Sequence, residues 1–442
     1  MEQEHFEALY PDTTRSSEIE KIISYIKEGS SCQLLGLPGA GRSTLLSLLA
    51  HNRQIRIKHF ADAHTSVHFV MANFSEIRKR SLFDTMKFLF LTLTESLRER
   101  KMLEENKVVG DIFREHLQFH DELILFQGFK EAVDYLCLDK KITLVFLFDR
   151  FEEYIPTVTD EFFTNLRTLR NRGKYKFSIV FSLYRPLETF LEPDLLADYY
   201  EFVAGHVVYL PLFDQEATSF RVAYIEKVTG KHVSEAVLKE IIKLCGGSGR
   251  LIKLSVEAVL AHGETPQNLS LFLLKQKTVS KALQEIWSVF SPAEQIDLLK
   301  EIFDDKETED YLEQIGIVKD RKIQIPLFAQ FIHEEYSSVK EEKATIRYDQ
   351  NTNTIAKGND VLSDQLTASE FRLLRYLLQN TQRVVEREEL ITIVWEGNKS
   401  TAGITDQAVD QLIFRLRRKI EEDANNPQHL QTVKGRGFRF VA

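Results

Sequence analysis

An apolar strand, a glycine-rich turn and an apolar helix follow one another without a gap in SCQLLGLPGAGRSTLLSLLAHN, from Ser31 to Asn52. A strand feeding a helix through so tight a turn is the opening unit of a parallel α/β sheet, and it limits the architectures open to the chain. Gly36, Gly39, Gly41 and Ser43, with Thr44 beyond, fall where the pattern G-x-x-x-x-G-K-[ST] places glycine, loop and hydroxyl. Without side chains the loop can wrap its N–H groups around a phosphate at the positive end of the helix, and a serine hydroxyl can reach a magnesium ion. Arg42 replaces the lysine of the pattern, which keeps the charge but substitutes a planar fork for a compact ammonium. ATP or ADP with Mg2+ is therefore the expected ligand. Whether ATP is turned over stays open, slow hydrolysis being the most that Arg42 suggests.

Further motifs follow in order. KITLVFLFDRFEEY (Lys141–Tyr154) is a buried apolar strand ending in Asp149, suited to holding magnesium. Arg150 occupies the next position, where a catalytic glutamate often stands, so Glu152 is the candidate base, with capping of the next segment as its structural alternative. KFSIVFSLYRP (Lys176–Pro186) is a second buried strand, and GGSGR (Gly246–Arg250) opens a later helix. Strands are expected at Cys32–Gly36, Val67–Asn73, Ile142–Asp149, Phe177–Leu183 and His206–Leu210, alternating with helices as in a doubly wound parallel sheet. Over roughly residues 10–265 this resembles the AAA+ and related signal-transduction (STAND) P-loop ATPases. The resemblance implies an NTPase core over 1–211 and a helical lid over 212–265. It also implies a terminal-phosphate sensor at Ser182 and Arg185, a lid arginine at Arg250, and Arg15 near the adenine pocket.

The other end of the chain reads TDQAVDQLIFRLRRKIEE and then TVKGRGFRFVA. Arg415, Arg417, Arg418 and Lys419 lie within a turn and a half, while Val409, Leu412, Ile413, Leu416 and Ile420 recur on the opposite side. A helix with one packing face and one cationic face suits a DNA major groove, and Lys434, Arg436 and Arg439 add charge on an adjoining ribbon. With LTASEFRLLRYLLQN (Leu366–Asn380), VVEREELITIVW (Val384–Trp395) and LQTVKGRGFRF (Leu430–Phe440), residues 344–442 resemble the winged-helix DNA-binding domain of OmpR/PhoB-type response regulators. In that family the third helix reads DNA. The resemblance puts Gln407, Gln411, Phe414, Arg415, Arg417 and Arg418 nearest bases or phosphates, with Thr432, Lys434 and Arg436 as wing or flank contacts. Leu412 and Phe414 stand where many members carry polar groups. The target sequence does not transfer, although an apolar side chain there can meet a thymine methyl.

Between the two, residues 266–338 read as helices followed by a hairpin around Lys319–Lys322, similar to the winged helix found behind such lids. Its acidic helix ETEDYLEQIG disfavours phosphate contact, and the charged stretch SSVKEEKAT is the expected boundary beyond it. Helices at Leu82–Glu104 and Glu115–Leu136 have no assigned role beyond core or oligomer contacts. The net charge of -9 argues against indiscriminate coating of nucleic acid, and residues 344–442 carry 14 Lys and Arg against 13 Asp and Glu, so any basic surface is local. Cys32, Cys137 and Cys245 lack metal-type spacing and read as buried reduced thiols. With no signal segment or membrane span, a cytoplasmic protein is expected. The reading is a nucleotide-controlled, sequence-specific DNA-binding transcriptional regulator whose partners are double-stranded DNA and nucleotide, self-association remaining open. The rivals are a DNA-stimulated ATPase of replication initiation or mobile-element maintenance, and a nucleotide-sensing defence scaffold.

Overall fold

The computed structural model describes residues 5–191, 203, 205–263, 266–302, 306–336, 346–349, 353–357, 360–363, 366–381, 383–394, 406–421, 427–433 and 436–441, with backbone alone at 306–309, 360 and 406–408. The chain forms two compact units, Met1–Phe331 and Ile332–Ala442.

In the first unit α1 (Ser16–Lys27) precedes β1 (Cys32–Leu35). The chain continues through α2 (Arg42–His51), α3 (Arg53–Phe60), β2 (Val67–Asn73), α4 (Leu82–Glu99), α5 (Leu103–Leu117), α6 (Glu122–Asp134), β3 (Thr143–Asp149), α7 (Asp160–Gly173), β4 (Phe177–Leu183) and β5 (Val207–Tyr209). The strands lie in the order β2-β3-β4-β1-β5, every pair parallel. β4 is buried at every position and β3 at all but its first, which is why both read as unbroken apolar runs. Because β4 lies between β1 and β3, the carboxyl ends of all three open side by side, placing Ser182 between the glycine loop and Asp149.

One face of the sheet carries a phenylalanine-rich core. Phe148 meets Phe74 at 4.8 Å and Phe181 at 5.4 Å between ring centroids, both edge-on, and Phe151 meets Phe181 at 5.1 Å. The long helices expected at Leu82–Glu104 and Glu115–Leu136 are instead three. Lys101 and His120 adopt left-handed backbone (φ 59° and 51°) and break the run at positions without glycine or proline. Asp121 then caps α6 by accepting from the Ile124 amide at 3.0 Å.

Beyond the sheet come α8 (Gln215–Thr229), α9 (Glu235–Leu244), α10 (Gly249–His262), α11 (Leu269–Leu274), α12 (Lys277–Ser288), α13 (Pro292–Lys300) and α14 (Lys306–Gln314). The antiparallel hairpin of β6 (Val318–Lys319) and β7 (Lys322–Ile323) leads into α15 (Pro326–Tyr336). The stretch SSVKEEKAT lies outside the described residues.

The second unit opens with an antiparallel sheet of β8 (Ile346–Asp349), β9 (Thr354–Lys357) and β10 (Asp360–Val361). There follow α16 (Ala368–Gln379), β11 (Val384–Val385), α17 (Arg387–Val394), α18 (Asp406–Ile420), β12 (Leu430–Val433) and β13 (Gly437–Phe440), with the last sheet ordered β11-β13-β12. At Gly437 (φ +126°) a β-carbon would sit 2.0 Å from the Val385 carbonyl oxygen, so only glycine lets β13 start against β11. Among the described residues no helix is long and apolar enough to cross a membrane. The three cysteines are buried free thiols, each pushed up to about 12 chiefly by desolvation.

Candidate functional site

The glycine loop leaves β1 at Gly36 and enters α2 through Gly41, whose φ of +106° suits glycine and which offers no side chain to cap the helix. Among the described residues the first-turn amides of α2 are therefore without a side-chain cap, which is the condition for anion binding at a helix start. Gly39 (φ +86°) is constrained twice, since a β-carbon there would also lie 2.9 Å from Arg250 Cβ. The Arg250 amide donates to the Gly39 carbonyl at 3.2 Å, so α10 rests directly on the loop.

The Ser43 hydroxyl donates to Asp149 Oδ1 at 2.9 Å, and the Ser182 hydroxyl approaches the same oxygen at 3.5 Å. Asp149 is buried; desolvation pushes its carboxyl above the ordinary aspartate range, against the pull of the Ser43 hydrogen bond and the Arg42 charge. A hydroxyl and a carboxylate make an oxygen-only donor pair of the kind magnesium uses together with phosphate and water. No cluster of three metal-type side chains occurs among the described residues, so phosphate and water would complete such a shell.

Arg42 points to Glu152 instead of into the loop. Its Nη2 lies 2.8 Å from Oε1 and its Nη1 3.3 Å from Oε2, a two-toothed pair with both side chains about nine-tenths buried. Glu152, read from sequence as base or cap, is here the partner of the substituted arginine. Glu153 pairs with Arg78 at 2.6 Å.

Of the three arginines expected at the cleft, Arg15 and Arg250 line it and Arg185 does not, and each is engaged by protein groups. Arg15 is buried and its guanidinium donates to the Ala40 carbonyl at 2.9 Å and the Pro211 carbonyl at 2.8 Å, while its amide donates to Asp214 at 2.9 Å. It ties the loop to the segment before α8. Arg185 turns away from the cleft, donating to the Val289 carbonyl at 3.1 Å and pairing with Glu294, the capping-box residue of α13. Burial beside a helix cap holds it there, so the placement of Arg185 at the terminal phosphate is corrected. Arg250 lines the cleft but is paired with Glu285 of α12.

Arg15, Arg42, Ser43, Glu152 and Arg250 line an open cleft of about 800 Å³, within the range of small-molecule sites. Opposite the loop its wall is apolar, from Tyr10, Leu212, Val222, Ile225 and Ile252. Arg221 lies 5.8 Å over the Tyr10 ring, and its Nε donates to the Tyr10 hydroxyl at 2.9 Å. Sequence reading missed this wall because it is assembled from the turn at Tyr10, the segment before α8, α8 itself and α10, with no local motif to mark it.

In the second unit, α18 buries Val409, Leu412, Ile413, Leu416 and Ile420 and exposes Gln411, Phe414, Arg415 and Arg418. Leu412 therefore belongs to the core, and a base contact from it is ruled out by its burial. Phe414 is 47% exposed. Arg417, expected at the DNA face, instead donates to the Leu430 carbonyl from Nε at 2.9 Å and from Nη2 at 2.7 Å, and to the Thr432 hydroxyl at 2.8 Å. Those bonds fasten α18 to β12 and engage Thr432 as well. Lys419 reaches the buried Glu370 at 2.7 Å. Arg436 is exposed; Lys434 and the Gln407 side chain lie outside the described residues.

The family described as "Transcriptional regulatory protein, C terminal" matches residues 363–440. The sensory transduction protein RegX3 of Mycobacterium tuberculosis (strain H37Rv) is 38% identical over 99 residues, 22% of this chain and 41% of RegX3, so the chain spans about two fifths of that relative. Among solved structures, the DNA-binding domain of Klebsiella pneumoniae RstA in complex with the RstA box is similar at 24% identity and a TM-score of 0.19, covering 22% of this chain and 90% of that one. A Walker-type ATPase of Pyrococcus abyssi is similar at 12% identity and a TM-score of 0.45, covering 75% and 98%.

Proposed function

Because residues 363–440 form an OmpR/PhoB-type C-terminal domain in a chain that also carries a parallel sheet with a glycine phosphate loop, we propose that this is a sequence-specific DNA-binding transcriptional regulator under nucleotide control. The observation that carries the reading is the exposed stripe of Gln411, Phe414, Arg415 and Arg418 on α18. A helix whose other face is fully packed presents these side chains where a major groove takes them.

The first unit binds ATP or ADP with Mg2+. The α2 amides hold phosphate, Ser43 and Asp149 hold the ion, and the wall of Tyr10, Leu212 and Val222 takes the base. Magnesium supplies charge neutralisation on the phosphates. With Glu152 engaged by Arg42 and no carboxylate at position 150, the nucleotide is held as a signal more than turned over. We assign an NTPase core to residues 1–211, a lid to 212–265, a middle winged helix to 266–338 and the DNA-binding domain to 344–442. Arg250 carries the signal onward, since its amide touches the loop and its side chain touches α12. A ligand moves such an equilibrium only through different affinities for the two states. The nucleotide state in turn governs DNA binding or assembly.

Selection of bound DNA from a random pool by the full chain, with ATP, ADP or no nucleotide, tests this. A motif whose enrichment depends on nucleotide is the expected result. A motif indifferent to nucleotide removes the control and leaves a plain DNA-binding regulator. Recovery of no motif overturns the regulator and favours the DNA-stimulated ATPase or the nucleotide-sensing scaffold.

A further inference from the structure

A second cleft opens at the far end of α2 from the glycine loop, bounded by α3, β2, the end of α4 and the turn at His5 and Phe6. There the Ala50 carbonyl, near the last turn of α2, accepts from two guanidiniums at once: Arg56 Nη1 at 2.8 Å and Arg100 Nη2 at 2.8 Å. The two donors are thus no further apart than twice a hydrogen-bond length. Among the described residues Glu99 is the acid that favours the charge of Arg100, with no ion pair between them, and no acid favours that of Arg56. Desolvation and neighbouring arginines pull Arg56 down to about 10 and Arg100 down to about 9. His51, stacked on His5 at 3.5 Å, is pulled down to about 4 by burial and by His5, Arg100 and Arg56.

Capping the carboxyl end of α2 accounts for one of these cations. A second arginine on the same carbonyl, with its partner side buried, adds repulsion and desolvation that capping does not offset. Each guanidinium has five N–H donors in a fork matched to phosphate oxygens, and most of those donors are unengaged among the described residues. Arg53 stands exposed at the mouth, with Asn73, Thr92 and Ser96 as neutral polar neighbours. Glu95 and Glu99 on the α4 side confine an anion to the arginine side.

We propose that this cleft is a second anion site, separate from the glycine loop, in which Arg56 and Arg100 hold the phosphate group of a small phosphorylated molecule, with Arg53 at its entrance. The site brings together side chains from α3 and the residue after α4. It places a dianion beside two like charges that the fold already holds on one carbonyl. A phosphate monoester and free phosphate share this chemistry.

Isothermal titration of the full chain with inorganic pyrophosphate tests the site in the wild type, Arg100→Gln and Ser43→Ala. Arg100→Gln leaves Arg56 on the Ala50 carbonyl, so the helix end stays capped. The expected result is a binding component that weakens about tenfold or more, roughly 1.4 kcal/mol, in Arg100→Gln and survives in Ser43→Ala. Arg53→Gln, an exposed change with little bearing on folding, weakens the same component more mildly. Adenosine monophosphate and inorganic phosphate as further probes separate the sources, tighter binding of the ester assigning an organic ligand and equal binding assigning free phosphate. Identical isotherms for wild type and Arg100→Gln overturn the proposal, as does loss of all pyrophosphate binding in Ser43→Ala.

Discussion

Two arginines that look alike in sequence differ in what they do. Arg415 is exposed on α18 and Arg417 is bonded to β12. Arg415→Ala is expected to leave urea stability unchanged and to lose about 1–3 kcal/mol of discrimination at one base pair in competition binding. Arg417→Ala is expected to lower the stability of the second unit by about 1–2 kcal/mol, because the Leu430 carbonyl loses its charged donor, and to weaken all DNA sequences alike. Arg42→Lys replaces the planar fork with an ammonium on one nitrogen and releases part of Glu152. Single-turnover ATP hydrolysis should then rise, and an unchanged rate would assign slow turnover to Arg150 instead. Histidines supply the pH dependence. His68 and His51 are held as neutral rings, down to about 3 and about 4 by burial first, against an ordinary 6.5. Their folded values lie below the unfolded one, so their contribution to stability is complete above about pH 6.5 and is lost as pH falls toward about 4 for His51 and about 3 for His68. Thermal melts of the wild type and His68→Gln across that window should converge as the acid limit is reached.

Elements were legible where the signal is local. The strand, glycine turn and helix from Cys32 to His51, and the buried strands ending at Asp149 and Leu183, could be read because fully covered parallel strands are continuously apolar. The breaks at Lys101 and His120 could not, since both residues take left-handed backbone without glycine, and the neighbouring apolar spacing runs through them. The Arg42–Glu152 pair and the apolar wall at Tyr10 were hidden for another reason: their members are brought together by strand order and by α8, not by proximity in sequence. Gly39→Ala belongs at this scale. It meets both a left-handed φ and Arg250 Cβ at 2.9 Å, so α10 must lift from the loop, and nucleotide affinity by fluorescence titration is expected to fall while DNA affinity of α18 is kept. The Thr367 hydroxyl accepts from the Glu370 amide at the start of α16 while the Glu370 carboxylate accepts from the Thr367 amide, and this cap predicts a loss of about 1 kcal/mol for Thr367→Ala in the second unit.

Across the whole molecule, two compact units predict two unfolding events. Calorimetry of the full chain should resolve them, one rising with ADP and magnesium by about 2.7 kcal/mol at a hundredfold excess over the dissociation constant, the other rising with cognate DNA. Ser43→Ala should abolish the first response alone. A single transition that moves with both ligands would show instead that the units unfold as one.

The bonds made by Arg417 and Lys419 within their own unit also set how this protein answers ionic strength. Each phosphate neutralised by a protein cation releases counterions and steepens the fall of affinity with salt by a slope of about 0.9. Four basic residues crowd α18, yet two are already neutralised or anchored by the fold, leaving Arg415 and Arg418 exposed on the helix. Such a protein should stay on its site across salt changes that would detach one whose whole basic run faced the backbone, and its selectivity should rest more on base edges than on charge.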